Sequence, residues 1–228
     1  IEMRRDAVGF ERPYINAYTC IHCMNCIRVC PAINPKKNIT NNCRKAYAAI
    51  TNNQATWLSS TSGGAFTEVC YAVSELFSEK QIIYAGATLD NFQVIHQCVS
   101  QIDEINRFQK SKYIQSSMGN VYGQIREALS NNSNFVVFSG TPCQIAGLKA
   151  YLGKERNNLL TIDLICHGVG SQTVFDAYLK DFQKQKNKKL TNYTFRAKDV
   201  KYGSFERHTS KYDYSDGSSE FKKFDGYN

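Results

Sequence analysis

The spacing of hydrophobic positions in the first half of the chain follows two patterns. Between Gly63 and Lys80 apolar residues recur every three or four positions, which predicts a helix after a Ser-Gly-Gly turn. The same spacing predicts a helix over 121–129. By contrast, 81–87 and 93–100 are short segments without helical spacing, and we expect both to be strands.

A regular alternation of strands and helices begins at Asn134. The apolar run 135–138 is typical of a parallel strand that is covered on both faces. The predicted elements are a strand at 135–138, a helix at 143–152, a strand at 160–165 and a helix at 171–185. From Asn192 onward aromatic and polar residues alternate, which indicates antiparallel strands. The pattern therefore predicts an α/β (α+β) fold with a mixed sheet.

The composition excludes several classes of protein. The chain has 228 residues, enough for one domain with a small appendage or for two modest domains. No apolar run approaches twenty residues and no secretory signal begins the sequence, so we expect no membrane span. The net charge of +8 suits an anionic coenzyme or an acidic redox partner. The basic tract 184–189 is typical of a solvated helix end, and no nucleic-acid partner is expected.

Four of the nine cysteines form a closely spaced run. Cys20, Cys23, Cys26 and Cys30 have the spacing C-x2-C-x2-C-x3-C-P of bacterial ferredoxins that hold 4Fe-4S clusters. Three thiolates two residues apart can surround one face of a cluster, whereas the fourth points elsewhere. A zinc knuckle is the alternative, but zinc sites usually pair two Cys-x-x-Cys elements across a longer gap. An odd number of thiols outside a secreted scaffold indicates a reducing, cytoplasmic location.

This run resembles the second half of a bacterial two-cluster ferredoxin, and 1–14 resembles the linker between its two motifs. The resemblance implies that the first motif lies upstream, so that the first three cysteines of the run lack their fourth ligand. A single cluster held by all four cysteines is the alternative. The stretch 31–45 has the composition of a linker. We therefore expect a partial ferredoxin-like iron–sulfur module at 1–40 and a larger domain at 45–228, incomplete at its carboxyl end.

Two further cysteines follow the predicted parallel strands. Cys143 begins the helix after 135–138 and Cys166 follows 160–165, so both belong at the carboxyl edge of the sheet, where open α/β sheets form sites. They could be metal or cluster ligands, a redox dithiol or inert buried thiols. A helix start favours thiolate at Cys143, which counts against an inert thiol. His167 adjoins Cys166, but adjacent residues on a turn usually point apart, so no general base is assigned.

Two loops have the composition of ligand-binding segments. Gly63 and Gly64 precede a helix, where backbone N–H groups can approach an anion closely, although an ordinary helix start explains them too. The segment 111–116 combines a cation, a phenol and an amide. That combination could cradle a phosphate or a flavin ring, or it could form a solvated loop.

Four motifs, taken in order, resemble the coenzyme F420 hydrogenase/dehydrogenase beta-subunit family. They are Ser60–Phe66, Ser111–Ser116, Ser139–Leu148 and Asp163–Gly168. The resemblance covers roughly residues 45 to 228. It implies a flavin-binding α/β domain that holds FAD, with an iron–sulfur cluster near the flavin.

The resemblance also implies roles for single residues. Cys143 and Cys166 would ligate the flavin-proximal cluster, whose remaining family ligands lie in a later Cys-x-x-Cys segment that does not follow Cys166 here. Either the chain is truncated before that segment, as we expect, or it cannot bind that cluster. Cys70 is expected in the core, and Cys43 and Cys98 match no ligand position. The flavin contacts implied by matching position are Ser62, Gly63, Gly64, Ser111, Lys112, Tyr113, Thr141 and Gln144.

The function implied by the resemblance is that of an iron–sulfur flavoprotein oxidoreductase. Electrons would pass between 4Fe-4S clusters, FAD and a hydride carrier, which is coenzyme F420 or another soluble donor or acceptor. The alternative is a non-catalytic iron–sulfur electron-transfer subunit. The implied partners are a hydride-carrying coenzyme and a redox partner protein, such as a ferredoxin.

Overall fold

The computed structural model describes residues 1–34, 45–198 and 209–223. The helices are α1 Asn25–Val29, α2 Gln54–Ser59, α3 Ala65–Leu76, α4 Val121–Ala128, α5 Pro142–Leu152 and α6 Gln172–Lys186, with a 3-10 helix at Ile102–Phe108. The strands are β1 Glu2–Arg5, β2 Glu11–Tyr14, β3 Gln81–Asp90, β4 Gln93–Val99, β5 Asn134–Gly140, β6 Leu159–Asp163, β7 Leu190–Thr194, β8 Thr209–Tyr214 and β9 Ser219–Lys223. Among these residues no helix is long and apolar enough to cross a membrane.

A four-stranded sheet in the order β4-β3-β5-β6 forms the centre of the fold. β3 and β4 form an antiparallel hairpin, whereas β3, β5 and β6 run parallel to one another. Parallel neighbours need a crossover connection, which α5 supplies between β5 and β6. The structure therefore confirms the predicted mixed sheet and the α/β (α+β) fold class.

Both faces of the sheet are covered because successive side chains of β5 point to opposite faces. Phe135 and Val137 pack into one core with Cys70 of α3. Val136 and Phe138 pack into a second core with α4 and α5. All residues of β5 are buried, as the continuous apolar run predicted, and Cys70 lies in the core as expected.

The antiparallel strands β7, β8 and β9 form a second sheet that packs on α6 through an aromatic core. Tyr212 is fully buried, and its ring stacks on Phe182 with 4.2 Å between centroids. The alternation of aromatic and polar residues predicted these strands from Asn192 onward. The structure confirms their antiparallel pairing and begins the first of them at Leu190.

The first fourteen residues, expected to be a linker, form the ordered hairpin β1–β2 instead. The Glu11 backbone N–H donates to Gln115 Oε1 at 2.6 Å, and Gln115 Nε2 donates back to the Glu11 carbonyl at 3.2 Å. At Gly9 a β-carbon would lie 2.2 Å from Thr173 Oγ1 of α6. Long-range contacts therefore fix this segment against the larger domain, and the local sequence does not encode them.

Two other details differ from the sequence-based expectations. Neither α2 nor the 3-10 helix was predicted, since both are short and lack a clear period. The strand expected over 160–165 ends at Asp163, because its neighbour β5 ends opposite it at Gly140. Ile165 is consequently 94% exposed. Most of the linker expected at 31–45, with Cys43, lies outside the described residues.

Candidate cofactor site

The turn between β5 and α5 is built by a reciprocal cap. The Thr141 N–H donates to Gln144 Oε1 at 2.9 Å, and the Thr141 hydroxyl accepts from the backbone of Gln144 in the same capping box. Pro142 occupies the first turn, where its missing N–H costs nothing. Thr141 and Gln144, both expected to contact a flavin, therefore bond to each other and fix the start of α5.

Cys143 and Cys166 lie at the same edge of the sheet. Gly140 of β5 and Asp163 of β6 lie opposite each other in the sheet. Cys143 follows Gly140 by three residues, and Cys166 follows Asp163 by three residues. Both side chains are exposed. Cys143 Sγ lies 3.2 Å from Thr141 Oγ1, and Cys166 Sγ accepts the Gly168 N–H at 3.3 Å. The shared edge agrees with the expectation, whereas exposure argues against inert buried thiols.

The segment 111–116 runs beside the loop that carries Cys166. Ile114 forms a parallel bridge with Gly170, the Gly170 N–H donates to the Tyr113 carbonyl at 2.8 Å, and the Gln115 N–H donates to the Gly170 carbonyl at 3.0 Å. On its other side the Ser111 N–H donates to Thr61 Oγ1 at 2.8 Å. Three motifs that are far apart in the sequence therefore meet at one place.

Gly63 and Gly64 have a structural role in the loop before α3. A β-carbon on Gly63 would lie 2.3 Å from the Ala49 carbonyl oxygen, and the Gly63 carbonyl accepts the Thr51 N–H at 2.8 Å. Gly64 is the N-cap of α3 and has a φ of 89°, which glycine adopts without strain. Close approach of the chain's own segment 49–51 therefore explains both glycines, while Ser62 beside them is exposed.

Lys112 closes the carboxyl end of the 3-10 helix. Its ammonium donates to the carbonyls of Arg107 at 3.1 Å and Gln109 at 2.7 Å. Burial of the ammonium lowers the pKa of Lys112 to about 7, and the nearby positive charge of Lys110 makes a smaller contribution in the same direction. Lys112 thus holds segment 111–116 in place and leaves at most one N–H free to contact a ligand.

The sequence analysis missed a third segment of the site, which follows β7. Arg196 Nη1 donates to the Tyr113 hydroxyl at 3.2 Å, and the Phe195 ring meets the Tyr113 ring edge-on at 5.9 Å. Lys198 Nζ donates to the carbonyls of Trp57 and Ser62, each at 2.6 Å. The only signal in the sequence was two basic residues directly after a predicted strand.

A buried histidine, also missed, lies under this edge. His96 is 6% exposed, and its Nδ1 forms a hydrogen bond with the Ser116 hydroxyl. Among the residues that the structure describes, no group forms a hydrogen bond with its Nε2. Burial lowers the pKa of His96 to about 4, the nearby Ser139 carbonyl opposes that shift, and the charge of Lys112 adds to it.

The run of four cysteines lies in a loop and in α1, which packs against α5. His22 and Met24 have φ values of 53° and 59°, left-handed conformations that non-glycine residues rarely adopt. Such backbone turns direct successive N–H groups inward and are common at iron–sulfur sites. Within the described ranges, however, no three Cys, His, Asp or Glu side chains converge closely enough to hold a metal ion.

Two of the described cysteines have surroundings unlike those of the other six. Burial raises the pKa of the Cys70 thiol to about 12 and that of the Cys98 thiol to about 11. Both thiols therefore stay protonated at neutral pH and are poor nucleophiles. Cys98 supplies a matched control for the exposed thiols.

Comparison with known proteins gives a family match and a structural likeness. Residues 134–226 match the family model for the C-terminal part of the coenzyme F420 hydrogenase/dehydrogenase beta subunit. A chain of the F420-reducing [NiFe] hydrogenase complex from Methanosarcina barkeri is 15% identical, with a TM-score of 0.48. That similarity covers 77% of this chain and 60% of the hydrogenase chain. No curated protein matches this sequence.

Proposed function

Because the chain belongs, through residues 134–226, to the coenzyme F420 hydrogenase/dehydrogenase beta-subunit family, we propose that it is an iron–sulfur flavoprotein oxidoreductase. It passes electrons between 4Fe-4S clusters, FAD and a hydride carrier, either coenzyme F420 or another soluble donor or acceptor. The observation that carries this proposal is the meeting of three motif loops at the carboxyl edge of the sheet. Open α/β sheets bind ligands at that edge.

The chemistry of the side chains at this edge fits a flavin with a phosphate tail. Tyr113 exposes much of its ring, and aromatic faces stack on planar ring systems. Ser62 and Ser111 supply short polar groups, and Lys112 supplies a cation. We place the flavin against the set Ser62, Gly63, Gly64, Ser111, Lys112, Tyr113, Thr141 and Gln144. A bound flavin would separate the electron pair of a hydride into single electrons, while these residues bind and orient it.

Six cysteines that are exposed or partly exposed are the proposed ligands of the clusters. The spacing of Cys20, Cys23, Cys26 and Cys30 and the left-handed backbone within that run support one ferredoxin-type site. Cys143 and Cys166 support a second site beside the flavin, because they share the sheet edge with it. Within the described residues no three Cys, His, Asp or Glu side chains converge on a metal site, so we assign no geometry to either cluster.

The packing of α1 on α5 supports an electron route between the two sites. It sets the helix that carries Cys26 against the helix that begins with Cys143. The proposed partners are a hydride-carrying coenzyme at the flavin and a redox partner protein at the ferredoxin-type module. The reducing location that the free thiols indicate is the cytoplasm.

Anaerobic purification of the full-length protein, with analysis of iron, sulfide and flavin, tests the proposal. We expect iron, sulfide and bound FAD together, and a flavin absorbance that bleaches when a hydride donor is added. In Cys23→Ser and in Cys143→Ser we expect iron to fall by about four atoms for each cluster lost. Cys98→Ser, the matched control, retains the iron of the wild type.

Two outcomes would contradict the proposal, in different ways. Iron and sulfide without flavin would favour the non-catalytic electron-transfer subunit, the alternative function. Iron that falls as far in Cys98→Ser as in Cys23→Ser would show that the exposed thiols are not specific ligands.

A further inference from the structure

The segment Phe195–Lys198 joins both loops that we propose to contact the flavin. Through Arg196 and Phe195 it holds Tyr113, and through Lys198 it holds the carbonyl of Ser62. Phe195 is itself anchored in the aromatic core, with its ring stacked on Phe175 at 5.2 Å. The segment that follows β7 thus supplies a third wall to a site whose other two walls are the loop before α3 and the segment 111–116.

This third wall is positively charged and has no counter-charge among the residues that the structure describes. Within residues 1–34, 45–198 and 209–223, no carboxylate forms an ion pair with Arg196 or Lys198. Burial of the Lys198 ammonium, and to a lesser extent its repulsion from Arg196, lowers the pKa of Lys198. Lys110 and Lys112 repel each other on the neighbouring loop. Partly buried cations without an anion are costly, so this arrangement calls for an anionic ligand.

The two cations also differ in shape in a way that suits phosphate. Arginine presents a planar fork of N–H donors that matches phosphate oxygens, whereas lysine acts as a point charge. Lys198 Nζ lies 4.1 Å from the centre of the Trp57 ring, and Arg196 donates to the hydroxyl of Tyr113. Each charge therefore lies beside an aromatic side chain.

We propose that Arg196 and Lys198 bind the diphosphate of the FAD whose site is proposed above. The two residues thereby set the preference of the site for a phosphate-bearing flavin over riboflavin, which has no phosphate. The inference rests on the proposed flavin site and adds to it two residues and the ligand group that they recognise.

This assignment is tested by measuring the binding of FAD and of riboflavin to the full chain. Flavin fluorescence in the absence of oxygen reports the binding. The variants are Arg196→Gln and Lys198→Met. Lys154→Met, on an exposed turn away from the site, is the matched control for a lost positive charge. We expect each site variant to weaken FAD binding about tenfold to a hundredfold, since hydrogen bonds to charged groups are worth that much. Riboflavin affinity stays within about twofold of the wild type, because it does not use this charge.

Lys198 also holds two loop carbonyls, so its removal can disturb the site without any loss of phosphate contact. Lys198→Arg, which keeps the charge, separates the two effects and should retain most of the FAD affinity. Raising the salt concentration should weaken FAD binding to the wild type more than to Arg196→Gln.

Equal losses of FAD and riboflavin affinity in both variants would overturn the assignment, because they would show that the segment only shapes the loops. Unchanged FAD affinity in both variants would overturn it as well. If the wild type binds no flavin at all, the proposed function fails first, and the diphosphate assignment falls with it.

Discussion

The buried His96 makes the stability of this protein depend on pH in a range where few other groups titrate. A free histidine has a pKa near 6.5, whereas burial lowers the pKa of His96 to about 4. Between these values the unfolded chain binds a proton that the folded chain excludes. Unfolding therefore becomes more favourable as the pH falls from about 6.5 towards about 4.

The size of the effect follows from the two pKa values. Each unit of difference is worth about 1.4 kcal/mol, so the full shift from 6.5 to about 4 corresponds to roughly 3 kcal/mol. About 2 kcal/mol of this is already lost at pH near 5, by the same linkage. The side chain is 6% exposed, so solvent screening reduces the effect little.

This pH-dependent loss of stability is measured by urea unfolding of the wild type and of His96→Gln between about pH 7 and 5, with circular dichroism as the probe. Glutamine can keep a hydrogen bond to Ser116 and does not titrate. We expect the wild type to lose about 2 kcal/mol more than His96→Gln over this range, since carboxylates contribute equally to both. His167→Gln, which alters an exposed histidine, should follow the wild type.

Parallel pH profiles of the wild type and His96→Gln would refute the reasoning. They would mean that His96 accepts a proton in the folded protein as readily as in the unfolded chain. The unpartnered Nε2 would then have access to water or to an anion.

Three further substitutions test the packing of the site by urea unfolding at neutral pH. Gly63→Ala should destabilise the protein by about 1–3 kcal/mol, because its methyl group would overlap the Ala49 carbonyl, and an unchanged free energy of unfolding would contradict this close approach. Thr141→Ala removes the cap of α5 and should cost about 1 kcal/mol, and a change below the error of the measurement would argue against the cap. Phe138→Ala should cost about 3–5 kcal/mol because its ring is fully buried, and a loss under about 1 kcal/mol would contradict the assigned core.

The sequence alone determined the elements whose side chains follow a clear period. β5 is predicted by four consecutive apolar residues, and α3 and α6 by apolar positions three or four apart. These patterns depend only on the geometry of a strand or helix, so they can be found without any knowledge of distant residues. The same holds for the ferredoxin spacing and the four family motifs, which are local strings of residues.

The tertiary structure decided how the motifs come together. No local pattern joins Ser111 to Thr61 or Arg196 to Tyr113, because these hydrogen bonds link residues that are 50 and 83 positions apart. It also gave Thr141 a partner in its own turn, where position in a motif had suggested only a cofactor contact.

The same distinction explains the residues that were missed. A histidine within a strand pattern carries no sign that it will be buried, and Lys198 carries none that it will meet two carbonyls across the fold. Burial and long-range hydrogen bonding arise only when sheets and helices pack, since packing, not local propensity, brings distant polar groups out of water. The motifs that carry the proposed chemistry were therefore readable from the chain, whereas the environment of their side chains, and with it their charge, came from the fold.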